Sequence, residues 1–278
     1  MEQKVWLVTG ASRGLGLALI RELLSQGHKV AATSRTVDSL VKEVGAQDDD
    51  FLPIPMDLTH EASVEKGIAM ALSHFGVVDV VVNNAGYGQV GTLEELSDEE
   101  CRMNFDVNVF GALHITRHIM PHFRARRTGQ FFNIASLGGY TANFPGWGIY
   151  CATKFALAAI TESLAAETKE FGVRVTLVYP GYFKTNFLGK GSLLTPRHPI
   201  EDYSAARQSQ SFHEQEMNGR QQGDPQKAAQ VLIRLSTLQE PPLHLFLGED
   251  AYEVANVKMA EVKTELERWK EMTLSTGF

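Results

Sequence analysis

The amino-acid sequence predicts an α/β fold, in which a parallel sheet is covered by helices on both faces. Seven short runs are apolar along their whole length rather than at alternate positions, which is typical of strands buried on both faces. Helical patterns separate these runs, and the strand–helix–strand repeat favours a doubly wound parallel sheet with right-handed crossovers. The seven predicted strands lie at residues 5–8, 29–33, 51–55, 77–82, 130–134, 174–179 and 243–247.

The predicted helices fill the intervals between the strands, and one further helix follows the last strand. Residues 188–223 differ from the rest, since they are polar, rich in Gln and Ser, and contain Pro196 and Pro199. We interpret this stretch as a substrate-side insert or lid with short helices. No linker or repeat interrupts the chain, so we expect a single domain over residues 1–278. The helices are expected at about 15–26, 37–45, 60–75, 98–127, 148–171, 225–238 and 251–272.

Charge and composition exclude several classes of protein. The net charge of −7, with no block of Lys and Arg, argues against a nucleic-acid surface. The two cysteines, Cys101 and Cys151, are too few for a disulfide framework or a metal cluster, and no metal is expected. The first residues have no signal-peptide pattern, and no run of about 18 apolar residues predicts a membrane span. We therefore expect a cytoplasmic enzyme that acts on a small molecule.

A glycine-rich loop, residues 9–16, lies between the first predicted strand and the first predicted helix. Glycines allow a tight turn and let a pyrophosphate approach the helix N-terminus, where free N–H groups favour anions. The spacing Gly-x-x-x-Gly-x-Gly differs from the common dinucleotide fingerprint, but the position of the loop favours a dinucleotide site. The lysine-containing phosphate loop is absent, which disfavours an ATPase. The predicted contacts are Gly10, Ser12, Arg13, Gly14, Leu15 and Gly16.

The end of the second strand indicates which nicotinamide cofactor is bound. An NAD enzyme usually places an acidic residue here to hold the ribose 2′-hydroxyl. This chain has Ser34 and Arg35 instead, and Arg13 lies in the glycine loop. Because guanidinium groups form charge-assisted and often bidentate bonds to phosphate, these residues predict NADP(H) rather than NAD(H).

Tyr150 and Lys154 stand four residues apart in a predicted helix, so their side chains share one face. A phenol beside a fixed positive charge ionises more easily, because the charge favours the phenolate. We therefore expect Lys154 to lower the pKa of Tyr150 and to make this tyrosine a general acid and base near neutral pH.

Further motifs follow in a fixed order along the chain. They are Asn83-Asn84-Ala85-Gly86, Asn108 in Asn-Val-Phe-Gly, Ser136 in Asn-Ile-Ala-Ser, and Pro180-Gly181 with Thr185. With the glycine loop and Tyr150-x-x-x-Lys154, they resemble the short-chain dehydrogenase/reductase family, in its compact single-domain branch, over about residues 4–188. The resemblance implies a Rossmann-type fold and a reaction between a carbonyl and an alcohol that uses NADP(H).

The resemblance also implies a role for each motif residue. In reduction by NADPH, Tyr150 protonates the carbonyl oxygen as general acid, and it is the base in oxidation. Ser136 hydrogen-bonds the developing oxyanion, and Lys154 also contacts the nicotinamide ribose. Asn108 holds a water that links Lys154 to solvent. The implied cofactor contacts outside the glycine loop are Ser34, Arg35, Asp57, Leu58, Asn84, Ala85, Gly86, Tyr150, Lys154, Pro180, Gly181 and Thr185, the last of which bonds the carboxamide.

Apolar side chains near these motifs predict a largely apolar ketone or aldehyde as substrate. They are Tyr87, Tyr140, Phe144, Trp147, Tyr182, Phe183, Phe187 and Leu188. The stretches 188–223 and 241–250 resemble those of members that act on ketones, aldehydes or steroid-like carbonyls. Helices at 98–127 and 148–171 commonly form the dimer contact in this family, so the resemblance implies a homodimer or homotetramer.

Two other functions stay open on the sequence. A sugar-nucleotide epimerase shares Tyr-x-x-x-Lys, but it usually has the other glycine spacing and a larger C-terminal domain. A redox-sensing NADP-binding regulator often lacks the tyrosine or the lysine, and this chain has both. A catalytic thiol at Cys151 is disfavoured, because no histidine lies close in sequence and position 151 points to another helix face.

Overall fold

The computed structural model describes residues 2–45, 49–189 and 191–278, and a seven-stranded parallel sheet forms its centre. The strands are β1 (Val5–Val8), β2 (Lys29–Ser34), β3 (Phe51–Pro55), β4 (Val80–Asn83), β5 (Gly88–Gln89), β6 (Gly129–Ile134), β7 (Val173–Pro180), β8 (Leu193–Leu194) and β9 (His244–Leu247). The large sheet has the order β3-β2-β1-β4-β6-β7-β9, and each neighbouring pair is parallel. The predicted Rossmann-type sheet is confirmed.

Helices cover both faces of this sheet. They are α1 (Gly14–Ser25), α2 (Val37–Val44), α3 (Glu61–Phe75), α4 (Asp98–Phe105), α5 (Gly111–Arg126), α6 (Gly148–Thr168), α7 (Ser204–Ser211), α8 (Pro225–Ser236), α9 (Glu249–Arg268) and α10 (Lys270–Leu274). Successive residues of a strand point to opposite faces, so Val8 packs with α1 and α8 while Leu7 packs with α3 and α5. Each face therefore has its own apolar core, and the central strands β1, β4 and β6 are buried along their whole length.

Two elements differ from the prediction in ways that affect the site. The strand expected at 77–82 begins at Val80, because the Asp79 carboxylate accepts a 2.9 Å bond from the Val5 backbone and the Val78 N–H donates to His122. The helix expected at 98–127 is divided by a π-helical turn, Asp106–Phe110, between α4 and α5. Widened turns of this kind rarely follow from residue pattern, and they often occur at functional sites.

The insert is held against the rest of the fold by a short sheet and by charged contacts. β5 and β8 pair in parallel, with Gly88 opposite Leu193, an interaction that the sequence did not predict. The fully buried carboxylate of Glu95 accepts a 2.8 Å bond from the Ile200 N–H and pairs with Arg207 of α7. These contacts fix the insert over one end of the large sheet.

One helical stretch, Gly148–Phe171, is long and apolar enough to cross a membrane, by length and composition alone. It contains α6, which packs against β7 and contributes Leu157 and Leu164 to the buried interior. In the part of the chain that the structure describes, it is the one helix that meets this test. Core helices of globular folds also meet it, so the finding is weak support for a span.

Candidate active site

A cavity of about 1070 Å³ opens at the carboxyl ends of the central strands. It lies where the strand order reverses between β1 and β4, which is the usual ligand position in open α/β sheets. Ser136 and the following predicted cofactor contacts line it: Gly10, Ser12, Arg13, Gly14, Leu15, Ser34, Arg35, Asp57, Leu58, Asn84, Ala85, Gly86, Tyr150, Lys154, Pro180, Gly181 and Thr185. The structure thus brings residues from most of the chain length into one site.

The glycine loop is braced against the segment that follows β4. The Asn84 amide donates to the Thr9 carbonyl at 2.9 Å, and the Asn84 and Ala85 N–H groups donate to Thr9 Oγ1. Gly10 has φ +63°, and a Cβ there would lie 2.7 Å from Ala85 Cα. Only glycine fits this approach, because an added methyl group would meet backbone rather than a movable side chain.

Gly16, which was also expected to contact the nucleotide, is not among the residues that line the cavity. A Cβ at this position would lie 2.6 Å from Asn84 Nδ2 and 2.7 Å from the Gly10 carbonyl oxygen. Gly16 therefore allows α1 to pack closely on the loop.

The far end of the cavity carries polar and cationic side chains from the ends of β2 and β3. Arg35 lines it, and the Arg13 guanidinium lies beside Gly191 of the insert, where a Cβ would be 3.2 Å from Nη1. The Asp57 carboxylate accepts bonds from the Thr59 hydroxyl (2.7 Å) and N–H (3.0 Å). Burial opposes ionisation of Asp57, but the Thr59 hydrogen bonds and the adjacent His60 hold its pKa below the usual value.

Tyr150 and Lys154 project from the first turns of α6 into the middle of the cavity. Tyr150 is 6% exposed, and the Ser136 hydroxyl, two residues beyond β6, lies near enough to affect its pKa. The Ser136 oxygen accepts a 3.1 Å bond from the Gly138 N–H, which fixes its position. Lys154 Nζ donates to the Ile134 carbonyl at 2.9 Å and lies 5.9 Å from the Tyr150 ring centroid.

The expectation that Lys154 lowers the pKa of Tyr150 is wrong for this structure. Burial raises the pKa of Tyr150, and the nearby Ser136 hydroxyl opposes this rise. Burial also lowers the pKa of Lys154, to about 8. Both shifts have one physical cause, because burial disfavours the charged form of either group.

Asn108 is buried behind the cavity rather than on its surface. The π-helical turn directs its amide toward Tyr87, with which it exchanges two 3.0 Å bonds: the Tyr87 N–H donates to Oδ1, and Nδ2 donates to the Tyr87 carbonyl. Nδ2 also donates to Thr153 of α6 at 3.0 Å. Asn108 therefore fixes the segment after β4 to the helix that carries Tyr150 and Lys154.

The substrate end of the cavity is lined mainly by aromatic and apolar side chains. Tyr140 was expected near the substrate, but it is not among the cavity residues. Its ring packs edge-on against Tyr179 and Phe246, at centroid distances of 5.7 and 5.1 Å. The other predicted pocket residues line the cavity: Tyr87, Phe144, Trp147, Tyr182, Phe183, Phe187 and Leu188.

The sequence reasoning missed His213 and Gln221, which the insert brings to this end of the cavity. His213 Nε2 lies 2.8 Å from the Tyr182 hydroxyl, and the His213 ring lies 4.7 Å from that of Trp147. The available signal was the presence of two histidines, His198 and His213, in the polar insert. Cys151 also lines the cavity, but burial raises the pKa of its thiol to about 12, so it stays protonated. The described residues contain no group of three or more His, Cys, Asp or Glu placed to hold a metal ion.

Comparison with known proteins identifies the family. Residues 4–192 match the family model for short chain dehydrogenases. The oxidoreductase BOA17 of Botryotinia fuckeliana is 30% identical over 99% of this chain and 99% of its own length. A short-chain dehydrogenase structure from Streptomyces avermitilis superposes with a TM-score of 0.91 at 36% identity, covering 100% of both chains. The chain belongs to the short-chain dehydrogenase/reductase family and is an oxidoreductase.

Other relatives show the range of substrates and cofactors. A 3-ketodihydrosphingosine reductase of Bacteroides thetaiotaomicron is 32% identical over 89% of both chains. A 3-ketoacyl-(acyl-carrier-protein) reductase of Brucella melitensis, complexed with NADH, has a TM-score of 0.72 at 28% identity and covers 88% of this chain and 96% of that one. An alcohol dehydrogenase of Thermococcus sibiricus, complexed with 5-hydroxy-NADP, has a TM-score of 0.68 at 29% identity and covers 88% and 96%. Structural neighbours thus bind either nicotinamide nucleotide.

Proposed function

We propose that the protein is an NADPH-dependent reductase of a largely apolar ketone or aldehyde, which also runs the reverse alcohol oxidation. One observation carries this proposal: Ser136 and Tyr150 line the same cavity as the glycine loop, together with the buried Lys154. The apolar lining supports an apolar substrate. The ketone reductase and the alcohol dehydrogenase among the relatives support this reaction class.

The cofactor cradle fits a dinucleotide that carries a 2′-phosphate. Gly14 and Leu15 line the cavity at the N-terminus of α1, whose first turn has no acidic residue and whose free N–H groups favour an anion such as a pyrophosphate. Ser34 and Arg35 line the cavity at the end of β2, and no acidic residue follows that strand directly. Glu43 also lines this end, but it pairs with Arg21 on the outside of the fold. These features favour NADP(H) over NAD(H).

The chain's own residues supply and place the proton. Bound NADPH would supply the hydride to the carbonyl carbon. Tyr150 donates its hydroxyl proton to the carbonyl oxygen, and its raised pKa keeps that proton available until negative charge develops there. Ser136, held by the Gly138 N–H, donates a hydrogen bond to the same oxygen. In the oxidation direction, Tyr150 takes the proton back.

Lys154 and Asn108 act behind this pair. With a pKa lowered to about 8, Lys154 holds its proton at neutral pH and exchanges it more readily than an exposed lysine. A Cβ at Gly86 would lie 2.9 Å from Asn108 Oδ1 and 3.4 Å from Lys154 Nζ, so these two polar groups are neighbours. This proximity supports a proton path in which Asn108 holds a water between Lys154 and solvent.

A panel of carbonyl compounds tests the proposed function. Long-chain aldehydes, alkyl ketones and aryl ketones are each mixed with the protein and NADPH, and the fall in NADPH absorbance is followed. We expect turnover with at least one apolar carbonyl, and NADH at equal concentration should support less of it. A regulator would bind NADPH without turnover, and an epimerase would convert a sugar nucleotide without net NADPH consumption. Either result would replace the proposal.

We also propose a homodimer or homotetramer that uses the outer faces of α4, α5 and α6. Met103, Phe110 and Phe155 are exposed apolar side chains on these elements and the π-helical turn between them. Light scattering should give a mass of two or four chains, and a monomeric mass at micromolar concentration would contradict the proposal. The single-domain organisation, the lid role of residues 188–223 and a cytoplasmic location remain proposals of the same kind.

A further inference from the structure

We propose that Tyr182 and His213 form a recognition point for a hydroxyl on the substrate, in which the Tyr182 oxygen accepts a hydrogen bond from that hydroxyl. The inference rests on the proposed function, since it describes which carbonyl compounds the same cavity prefers. Tyr182 follows β7, His213 lies in a π-helical turn of the insert, Phe212–Met217, and both residues line the cavity.

The direction of the hydrogen bond between the two side chains follows from their neighbours. His213 Nδ1 lies 2.6 Å from the Ser209 carbonyl, which can only accept, so Nδ1 carries a proton. His213 is 7% exposed, and burial lowers its pKa, so the ring is neutral and Nε2 has a lone pair. Burial raises the pKa of Tyr182 to about 12, so its hydroxyl is protonated. The Tyr182 O–H therefore donates to Nε2 across the 2.8 Å contact.

In this arrangement the Tyr182 oxygen can act toward a substrate only as a hydrogen-bond acceptor. Its proton is committed to His213, and the lone pairs that remain can only accept. A substrate hydroxyl meets an acceptor at this point, whereas a substrate ether or carbonyl oxygen meets no donor. A buried polar group left without a partner costs more than the bond would have contributed, so the site discriminates between the two kinds of substrate.

Tyr182 and His213 are both held in place by neighbouring residues, as discrimination between a hydroxyl and an ether on the substrate requires. The Tyr182 N–H donates to the Asp250 carboxylate at 2.6 Å, which anchors its backbone at the start of α9. The His213 ring packs against Trp147, whose ring in turn lies 5.6 Å from that of Tyr150. Tyr182 packs against the apolar cluster that contains Tyr150, and both side chains line the same cavity.

The test uses three matched sets of methyl ketones: one with a hydroxyl at increasing distance from the carbonyl, one with the plain chain, and one with the methyl ether of each alcohol. The measured quantity is the kcat/KM ratio of each substituted ketone to its plain partner, which cancels general effects of a variant on the enzyme. In Tyr182→Phe, the hydroxyl-to-plain ratio should fall about tenfold for the best hydroxyl position. Tyr203→Phe is the matched control, because Tyr203 is an exposed residue of the insert whose hydroxyl donates to Glu94. This variant should keep the wild-type ratio.

A second variant separates hydrogen-bond direction from loss of contact. His213→Phe keeps an aromatic ring against Trp147 but removes the acceptor, so the Tyr182 proton becomes free. The ether-to-plain ratio should then rise severalfold, while the hydroxyl-to-plain ratio stays close to the wild-type value because the Tyr182 oxygen can still accept. A hydroxyl-to-plain ratio that is the same in Tyr182→Phe and wild type would overturn the proposal, as would an ether ratio that does not rise in His213→Phe.

A binding measurement tests hydroxyl recognition even if the proposed reductase function is wrong. If the wild-type protein reduces none of the plain ketones or hydroxy ketones, the reductase assignment fails, and binding of alkanediols to the protein–NADP⁺ complex is measured by calorimetry against alkanols of equal length. Tighter diol binding that is lost in Tyr182→Phe would support hydroxyl recognition without the reaction. Equal binding of both by wild type, or no binding of either, would overturn it.

Discussion

The two ends of the cavity are built in different ways. At the nucleotide end, Thr9, Gly10, Asn84 and Ala85 come from loops directly after β1 and β4, and each hydrogen bond between these loops has a backbone group as one partner. At the substrate end, side chains from α6, from the segment after β7 and from the insert meet, and Glu95 holds the insert in place.

The difference matters because backbone and side chains respond differently to substitution. A backbone site depends on the sheet and on a few glycines, and it binds the part of the ligand that does not vary. A site made of side chains on a separate segment can change its chemistry while the sheet stays the same. We therefore expect variants at the two ends to have separable effects on nucleotide binding and on carbonyl selectivity.

Tyr150→Phe gives the largest expected effect. It tests whether a change at the substrate end of the cavity can leave nucleotide binding unchanged. Removing the proton donor should lower kcat by about a thousandfold, while the Kd for NADPH, measured by fluorescence titration, stays close to wild type. Tyr140→Phe is the matched control, because Tyr140 packs on Tyr179 and Phe246 outside the cavity. Full activity in Tyr150→Phe would refute the proposed mechanism.

Gly10→Ala tests the dependence of the nucleotide end on backbone. The new methyl group would meet Ala85 at a residue with positive φ, so we expect the free energy of unfolding to fall by about 3 kcal/mol. Gly27→Ala is matched to it, because Gly27 has φ +77° with nothing within 4 Å of the added Cβ, and it should cost about 1 kcal/mol. Equal losses in urea unfolding would mean that the close approach to Ala85 does not matter.

Arg35→Ala tests the phosphate preference. Loss of a charge-assisted bond should raise the Kd for NADPH by roughly ten- to hundredfold and leave that for NADH nearly unchanged. Arg102→Ala, an exposed arginine that pairs with Asp98, should change neither value. Equal weakening of both cofactors by Arg35→Ala would indicate misfolding, and equal wild-type affinity for both would remove the NADP(H) preference.

Glu95→Gln tests the substrate end and has the smallest expected effect. The amide cannot keep both the Arg207 pair and the backbone bonds, so we expect backbone amides of residues 197–217 to exchange about tenfold faster, which corresponds to about 1.4 kcal/mol. Glu99→Gln, whose pair with Arg197 is exposed, should change exchange very little. A matching rise in the Kd for NADPH would contradict the separation of the two ends.

The sequence predicted the nucleotide end better than the substrate end for a physical reason. Strands and glycine loops follow from local pattern, and β3 lies where it was predicted, at Phe51–Pro55. The parallel pair of Gly88 with Leu193 involves strands of two residues each, too short for any periodicity to be detected. The approach of His213 to Tyr182 depends on how the insert folds back, which no local pattern encodes.

Electrostatics was the least predictable property from sequence. The spacing of Tyr150 and Lys154 correctly placed both side chains in one cavity. It did not reveal how deeply both side chains are buried, and burial reverses the expected change in the pKa of Tyr150. Likewise, the motif containing Gly16 indicated a glycine without distinguishing contact with a nucleotide from close helix packing.

The pairing of β5 with β8 has a consequence for protein engineering. It joins the stretch after β4 to the start of the insert, so these two segments, distant in sequence, share one register. A chimera that receives the insert of a homologue without residues 87–97 would combine strands and acidic partners that never evolved together. Donor segments should therefore be exchanged as a pair, and recombination points belong outside both.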